Sequence, residues 1–240
     1  LRDVETHTVE AILPGGLQHE KFLGWLDRVA DFLNSLVTPY GVRVPVLFRP
    51  WHEHTGSWFW WGQDHCTAEQ YKALWQMTVD RLKERGVVNA LYAFSPNLMS
   101  DGTKEKLMER YPGDDIIDLI GYDHYCFAAE GDTAAVAQFA AELDKYLTMI
   151  CEIGKEHDKA VALTETGYES LLAPDWYTHA LAPVLARHPI AYALVWRNAD
   201  DKPGHFYAPY PGHPSASDFV QFYNLPQTLF LRDVNGLYLK

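Results

Sequence analysis

The 240-residue chain has few cysteines and few basic residues, and both shortages narrow the class of protein. The three cysteines are odd in number and far apart, so they form neither a disulfide framework nor a zinc-binding spacing. We expect buried free thiols at Cys66, Cys126 and Cys151. The 32 acidic residues outnumber the 20 basic ones, which gives a formal net charge of -12. A negative net charge repels nucleic-acid phosphates, so the composition argues against a nucleic-acid partner. A neutral polysaccharide is compatible with this charge.

Long apolar runs, repeats and glycine-rich phosphate loops are also absent from the sequence. Without a run of 18 apolar residues we expect no membrane span in this chain, and without a phosphate loop a nucleotide-binding function is disfavoured. No signal peptide is visible, and the opening at Leu1 within a loop before a helix predicts a truncated N-terminus. Aromatic residues are abundant instead: the chain has eight Trp, 14 Tyr and 11 Phe, and such a surplus of Trp is typical of a binding cleft.

Helical and strand patterns alternate along the chain, which predicts a single α/β domain over residues 1–240. We expect helices at 19–36, 67–86, 134–157, 176–186 and 217–223. The second should begin with a capping box of Thr67 and Gln70, end at Gly86, and bury Tyr71, Trp75, Thr78 and Leu82. We expect strands at 44–48, 90–94, 116–122, 161–163 and 191–196. These strands are continuous apolar runs, which indicates parallel strands covered on both faces. A doubly wound sheet and a (β/α)-barrel both fit this order.

Polar side chains follow four of the predicted strands, and in a barrel those ends form the active face. Two of them are the carboxylates Glu53 and Glu165, which lie 112 positions apart, a spacing of about three βα units. Glycoside hydrolysis needs such a pair, one to protonate the leaving oxygen and one to attack or to activate water. The alternative is that both residues are solvated or salt-bridged.

Four further strand-end residues are candidates for supporting roles: Arg49, His52, Asp123 and Tyr125. An arginine can fix a carboxylate by a bidentate pair, and Tyr125 could donate its hydroxyl to the nucleophile. Taken singly, each of these residues is more often a structural hydrogen bonder. A metal site is a second interpretation, because His52 and His54 share a face of an extended segment and could bind a metal ion with Asp123 and His124.

Four consecutive aromatic residues, Trp58-Phe59-Trp60-Trp61, occupy the loop after Glu53. A loop is an unusual place for four large rings, and sugars present flat CH faces that suit aromatic platforms. We expect Trp58, and Trp196 at the end of the last strand, to be sugar platforms. Some of the other three rings are expected to pack in the interior.

Two segments resemble glycoside hydrolase family 26, whose members are mainly endo-β-1,4-mannanases. The first is Arg49-Pro50-Trp51-His52-Glu53-His54-Thr55-Gly56-Ser57-Trp58-Phe59-Trp60-Trp61-Gly62, which resembles the acid/base segment of that family. The second is Thr164-Glu165-Thr166-Gly167, which resembles its nucleophile strand. The resemblance covers nearly the whole chain. It implies a (β/α)8 TIM-barrel fold with Glu53 as acid/base after strand 4 and Glu165 as nucleophile after strand 7.

The resemblance also implies roles for the other candidates. Arg49 and His52 match active-site neighbours of the family, and Asp123 and Tyr125 match its Asp-x-Tyr strand end, with the tyrosine touching the nucleophile. Trp58 and Trp196 match its substrate-stacking tryptophans, and Arg197 matches an arginine beside the second. No metal or other cofactor is implied. If residues 44–48 are strand 4, the chain holds strands 4 to 8 and lacks the first three.

The expected function is therefore retaining hydrolysis of internal β-1,4-mannosidic bonds in mannan, glucomannan or galactomannan by double displacement. A β-glucanase or xylanase of the same family, and a truncated barrel that binds carbohydrate without catalysis, remain alternatives. We expect a monomer. We also expect a secreted, periplasmic or cell-surface location, because a polymeric substrate does not easily enter a cell.

Overall fold

Five strands alternate with helices in the part of the chain that the structure, a computed structural model, describes: residues 7–97 and 102–236. The strands are β1 (Val46–Phe48), β2 (Ala90–Phe94), β3 (Leu119–Cys126), β4 (Ala160–Tyr168) and β5 (Ala193–Val195). Their order in the sheet follows their order in the chain. The pairs β1–β2, β2–β3 and β4–β5 are parallel, so the predicted α/β class with parallel strands is confirmed. The expectation about the start of the chain at Leu1 lies outside the described residues.

The helices fall largely where the periodicity predicts them. They are α1 (Thr8–Ile12), α2 (His19–Ser35), α3 (Ala68–Glu84), α4 (Lys104–Met108), α5 (Thr133–His157), α6 (Ala182–Leu185), α7 (Ala216–Tyr223) and α8 (Leu231–Val234). The predicted helix at 176–186 is instead a π-helical turn, Tyr177–Leu181, followed by the short α6. Since Pro183 has no N–H to donate to the carbonyl four residues earlier, the regular α-helical ladder is interrupted there.

Helix α3 shows how local sequence sets the bounds of an element. The hydroxyl of Thr67 accepts a hydrogen bond from the Gln70 amide at 3.2 Å, and the Gln70 side chain accepts from the Thr67 amide at 3.0 Å. This is the predicted capping box, which satisfies two amides that the first turn leaves unpaired. At the other end the chain turns at Gly86, where φ is 76°. The inward face buries Tyr71, Trp75, Thr78 and Leu82, as predicted.

Two strands were predicted too short at their carboxyl ends. β3 continues to Cys126 and β4 continues to Tyr168, so Asp123, Tyr125 and Glu165 lie within strands and not just past them. Polar side chains suggested that the strands had ended, but these polar residues are mostly buried and hydrogen-bonded, so they do not interrupt the sheet.

The prediction that both faces of every strand are covered is wrong in places. Leu91 of β2 is 53% exposed and Leu194 of β5 is 39% exposed. No side chain among the described residues covers them fully. In β2, Leu91 is exposed and the three residues from Tyr92 to Phe94 are buried, so the strand has one solvated position.

The chain divides into two compact units, and each has its own core. The first comprises the residues up to Asp123 together with Glu152–Ala162, and its core includes Leu74, Trp75 and Leu82 of α3. The second comprises His124–Cys151 and the residues from Leu163 onward, with Leu143, Leu147, Trp176 and Tyr177 in its core. Burying each such side chain contributes about 1.5–3 kcal/mol.

The cysteines are free thiols, as predicted. Cys66 and Cys126 are buried, whereas Cys151 is only partly buried. Burial raises the pKa of the Cys66 thiol, because the charged thiolate is disfavoured away from water. Within 7–97 and 102–236, no helix has the length and apolar character needed to cross a membrane.

Candidate active site

The segment that follows β1 turns sharply at two residues with left-handed backbone conformations. Trp51 has a φ of 55° and Glu53 has a φ of 52°. For residues other than glycine, this left-handed backbone conformation costs about 1–2 kcal/mol. Backbone contacts hold the turn: the Glu53 amide donates to the Ser95 carbonyl at 2.8 Å, and the Trp61 indole donates to the His52 carbonyl at 2.8 Å. The direction of the Glu53 side chain is therefore fixed by tertiary contacts and not by local preference.

The Glu53 carboxylate is bound by the tryptophan five residues later. Trp58 Nε1 donates to Glu53 Oε2 at 2.9 Å, while the Trp58 side chain remains 51% exposed. The ring lies directly over Gly56, where an added Cβ would come within 2.2 Å of it. Trp58 thus orients a carboxylate with its edge and leaves much of its ring accessible to a ligand.

The other aromatic residues of the same loop pack against one another, as predicted for part of the string. Phe59 and Trp61 stack with ring centroids 4.4 Å apart and planes 9° apart. Trp60 meets Trp51 edge to face at 5.3 Å, and the His52 ring lies 4.9 Å from Phe59. These contacts make the loop a small aromatic core, which is stabilised both by burial and by ring geometry.

Arg49 forms a buried ion pair next to the turn. Its Nη1 donates to Asp123 Oδ2 at 3.0 Å and to the Ser95 hydroxyl at 2.9 Å. Asp123 is only 1% exposed, so water cannot solvate its carboxylate, and the Arg49 guanidinium compensates the negative charge instead. The carboxylates of Glu53 and Asp123 have oxygens within 4.8 Å of each other, and the cation near Asp123 limits their repulsion.

The histidines of the predicted metal site have structural surroundings. His54 is fully buried between the rings of Tyr71, at 4.6 Å, and Phe94, at 4.7 Å. His124 stacks on Phe139 at 5.1 Å. Burial lowers the pKa of both imidazoles, that of His124 to about 4. In the described ranges, no histidine belongs to a group of three possible ligands close enough to hold one ion.

The second carboxylate, Glu165, is held within β4 of the second unit. It is only 4% exposed, and Tyr125 of β3 donates its hydroxyl to Glu165 Oε2 at 2.7 Å. Thr164 and Thr166 on either side are fully buried, so the strand itself fixes the position of the carboxylate. A short hydrogen bond from a neutral donor to a buried carboxylate fixes its orientation and partly replaces lost hydration.

Tyr207 is part of this second arrangement, and the sequence analysis missed it. Its buried ring lies 5.7 Å from the Tyr125 ring and directly over Gly167. Burial raises the pKa of Tyr207, the Glu169 and Glu165 carboxylates raise it further, and the Arg197 guanidinium opposes them. The glycine after Thr164-Glu165-Thr166 was the one sequence signal for a close ring contact at this place.

The loop after β5 carries the last predicted site residues. The Trp196 amide donates to the Thr166 carbonyl at 2.9 Å, which extends the strand pairing to the partly buried Trp196. Asn198 fastens the loop, because its Oδ1 accepts from the amides of Tyr207 and Ala208 at 2.9 and 3.0 Å. Arg197 between them is exposed. The Asn198 side-chain amide thus fixes the backbone at the buried Tyr207, and the pairing with Thr166 fixes the backbone at Trp196.

A Gly167→Ala substitution is predicted to destabilise the chain by about 1–3 kcal/mol, the usual range for overpacking. The new methyl group would lie 2.2 Å from Tyr207 Cδ1, so the ring must move. Denaturant unfolding measures the effect. Gly24→Ala is the matched control, because that helical position of α2 has open space around it, and alanine there should be neutral or stabilising. Equal unfolding midpoints for the two variants would contradict the packing account.

Residues 5–170 match the family described as Glycosyl hydrolase family 26. The chain belongs to this family. A solved family-26 β-mannanase from Bacteroides ovatus is 53% identical, with a TM-score of 0.92 over 99% of this chain. The solved catalytic domain of a Bacillus sp. endo-β-1,4-mannanase is 36% identical, with a TM-score of 0.89 over 98% of this chain. A Bifidobacterium adolescentis protein named mannan endo-1,4-beta-mannosidase is 32% identical over 231 residues, which is 90% of this chain.

The family-26 assignment confirms the predicted resemblance and the barrel-type α/β fold class. The chain spans 67% and 64% of the two solved family-26 chains and 23% of the length of the B. adolescentis protein. The predicted site residues divide between the two units. Arg49, His52, Glu53, Trp58 and Asp123 lie in the first unit, and Tyr125, Glu165, Trp196 and Arg197 lie in the second.

Proposed function

We propose that this chain is the part of a family-26 endo-β-1,4-mannanase that carries both reacting carboxylates. It cleaves internal β-1,4-mannosidic bonds of mannan, glucomannan or galactomannan with retention of configuration. The observation that carries the proposal is that each carboxylate has a dedicated aromatic donor: Trp58 for Glu53 and Tyr125 for Glu165. Two carboxylates in different surroundings are what the acid and nucleophile roles require.

Strand β3 carries one neighbour of each carboxylate. Asp123 and Tyr125 are two residues apart on it, so their side chains leave the same face, with Cα atoms about 6.6 Å apart. Asp123 has an oxygen near that of Glu53, and Tyr125 binds Glu165 directly. Retaining glycosidases hold their two carboxylates about 5–5.5 Å apart, and we propose that Glu53 and Glu165 act as such a pair.

In the proposed mechanism, Glu165 attacks the anomeric carbon while the glycosidic C–O bond breaks. Protonated Glu53 gives its proton to the leaving oxygen, and the leaving part of the polysaccharide departs with a new hydroxyl group. A water molecule then attacks the mannosyl ester on Glu165. Glu53, now ionised, takes the proton from that water, and both carboxylates return to their starting states. No step needs a metal ion or a redox cofactor.

The exposed ring of Trp58 and the partly buried ring of Trp196 are the proposed stacking platforms for mannose units. Arg197, exposed beside Trp196, is the proposed polar contact to a sugar hydroxyl. The acidic composition does not hinder the binding of a neutral polymer. We propose that the protein acts as a monomer and is secreted, periplasmic or at the cell surface, where such a polymer is accessible.

Reducing-sugar release tests the proposed substrate. We expect β-mannan and glucomannan to be hydrolysed, and mixed-linkage β-glucan and xylan to be hydrolysed at least about tenfold more slowly, the discrimination of a 1.4 kcal/mol difference in transition-state binding. Activity should be unchanged by EDTA. Faster release from β-glucan or xylan would overturn the mannan assignment. Retention of the chain on mannan without any release would indicate a carbohydrate-binding protein.

A further inference from the structure

The strained turn around Glu53 is tied down on both sides by one hydroxyl group. Tyr71 of α3 donates to the Trp51 carbonyl at 2.7 Å, two residues before Glu53. The same oxygen lies 3.1 Å from Nδ1 of His54, one residue after Glu53. The two left-handed residues, Trp51 and Glu53, are therefore enclosed between two contacts of a single side chain.

The protonation state of His54 follows from its surroundings. The ring is fully buried between two aromatic rings, and burial lowers its pKa well below the ordinary value, so the imidazole is neutral. Tyr71 has one hydroxyl hydrogen, which the Trp51 carbonyl receives. The neutral tautomer that uses the Tyr71 oxygen carries its hydrogen on Nδ1 and donates it. The hydroxyl thus donates on one side of the turn and accepts on the other.

Tyr71 is itself rigidly placed. Its side chain is fully buried, and its amide donates to the carbonyl of Thr67, the capping residue of α3, at 3.0 Å. The Arg110 guanidinium lies over its ring, 5.6 Å from the centroid. Burial raises the pKa of the Tyr71 hydroxyl, so it keeps its hydrogen. A fixed hydroxyl on a capped helix is a suitable anchor for a backbone conformation that the local sequence does not favour.

We propose that Tyr71 is the positioning residue for the acid/base carboxylate: it holds the 51–54 turn so that Glu53 can protonate the leaving oxygen. The inference rests on the proposed function. Without the hydroxyl group, the turn loses two of the contacts that hold Trp51 and Glu53 in the left-handed region, and the Glu53 carboxylate moves away from the glycosidic oxygen. Proton transfer is then impaired, whereas attack by Glu165, which belongs to β4, is not.

Tyr71→Phe tests this inference, with Tyr111→Phe as the matched control. Tyr111 is also a buried tyrosine of the first unit, and its hydroxyl donates to Asp114 at 2.8 Å. The substrates are mannotetraose, whose leaving group needs protonation, and 2,4-dinitrophenyl β-mannobioside, whose leaving group does not. We expect Tyr71→Phe to lower kcat/KM for mannotetraose about 30-fold, which is less than the roughly 10²–10⁴-fold that complete general acid catalysis contributes. We expect kcat/KM for the dinitrophenyl substrate to fall less than about threefold.

A merely structural role predicts a different pattern. If Tyr71 only stabilises the fold, Tyr71→Phe lowers kcat/KM equally for both substrates. Tyr111→Phe then has the same effect, in proportion to the thermal stability that it loses. Either result overturns the proposal, as does a Tyr71→Phe enzyme with unchanged activity on mannotetraose.

A crystallographic measurement keeps this inference separate from the proposed function. If the wild-type chain hydrolyses neither substrate, the proposed function fails, and the φ angle of Glu53 in crystals of both forms still decides the positioning. A Tyr71→Phe structure in which Glu53 keeps a positive φ and its bond to Trp58 contradicts the proposal. Relaxation of that angle in Tyr71→Phe, but not in Tyr111→Phe, supports it.

Discussion

Glu165→Ala is expected to abolish reducing-sugar release from β-mannan, with kcat lowered by about 10⁴-fold or more, the scale seen when a nucleophile is removed. The physical reason is that the proposed nucleophile is held in one position. Glu165 is buried in β4 and receives the Tyr125 hydroxyl, so its position cannot be taken over by a mobile neighbour. In the proposed mechanism, alanine removes the carboxylate oxygen that forms the bond to the anomeric carbon. Initial rates on mannan, measured at high enzyme concentration, check the result.

Glu130→Ala is the control for that experiment. Glu130 is an exposed carboxylate of the same unit, in the loop between β3 and α5, and its removal should leave the rate within about twofold of wild type because it contacts nothing in the proposed site. A Glu165→Ala enzyme with more than a few per cent of wild-type turnover would remove Glu165 from the nucleophile role. Circular dichroism of both variants establishes that the fold is retained.

Glu53→Ala is expected to affect the two chemical steps differently, depending on the leaving group of the substrate. Loss of the general acid should lower kcat/KM on mannotetraose by about 10²–10⁴-fold. On 2,4-dinitrophenyl β-mannobioside the first step needs no proton, so kcat/KM should fall by less than about tenfold, while the ester intermediate accumulates because Glu53 no longer activates water. Sodium azide, a nucleophile that needs no base, should then raise kcat and yield β-mannobiosyl azide.

The control for the second prediction is Glu69→Ala, which removes an exposed carboxylate from the first turn of α3. This variant should behave as wild type on both substrates and should not respond to azide. Loss of activity in Glu53→Ala that is equal on both substrates, with no azide effect, would show that Glu53 supports the fold or substrate binding and is not the acid/base.

Local patterns predicted the fold where the chemistry is local. The capping box of Thr67 and Gln70 and the turn at Gly86 set α3 correctly, and β2 was predicted to the residue, because these signals lie within a few positions of the element. The ends of β3 and β4 were misjudged, since Asp123 and Glu165 looked like loop residues. Whether a polar side chain ends a strand depends on partners that are distant in sequence.

The candidate site shows the same division. Glu53 and Trp58 are five residues apart in one loop, so a single motif predicted both, and the bond between them is local. Tyr71 and Tyr207 were missed because their contacts, to the 51–54 turn and to Gly167, join positions 17 to 40 residues apart. The left-handed φ of Glu53 could not be predicted from the sequence either, because glutamate has no preference for that conformation.

The proposed double displacement depends on Glu165 forming a covalent bond to the substrate. Incubating the chain with a 2-deoxy-2-fluoro-β-mannobiosyl fluoride, whose fluorine slows breakdown of the ester, and then mapping the labelled peptide by mass spectrometry measures this directly. The proposed mechanism predicts one mannobiosyl adduct, on the peptide containing Glu165, formed in step with loss of activity. An adduct on a different carboxylate, or turnover of mannan by a chain that forms none, would contradict it.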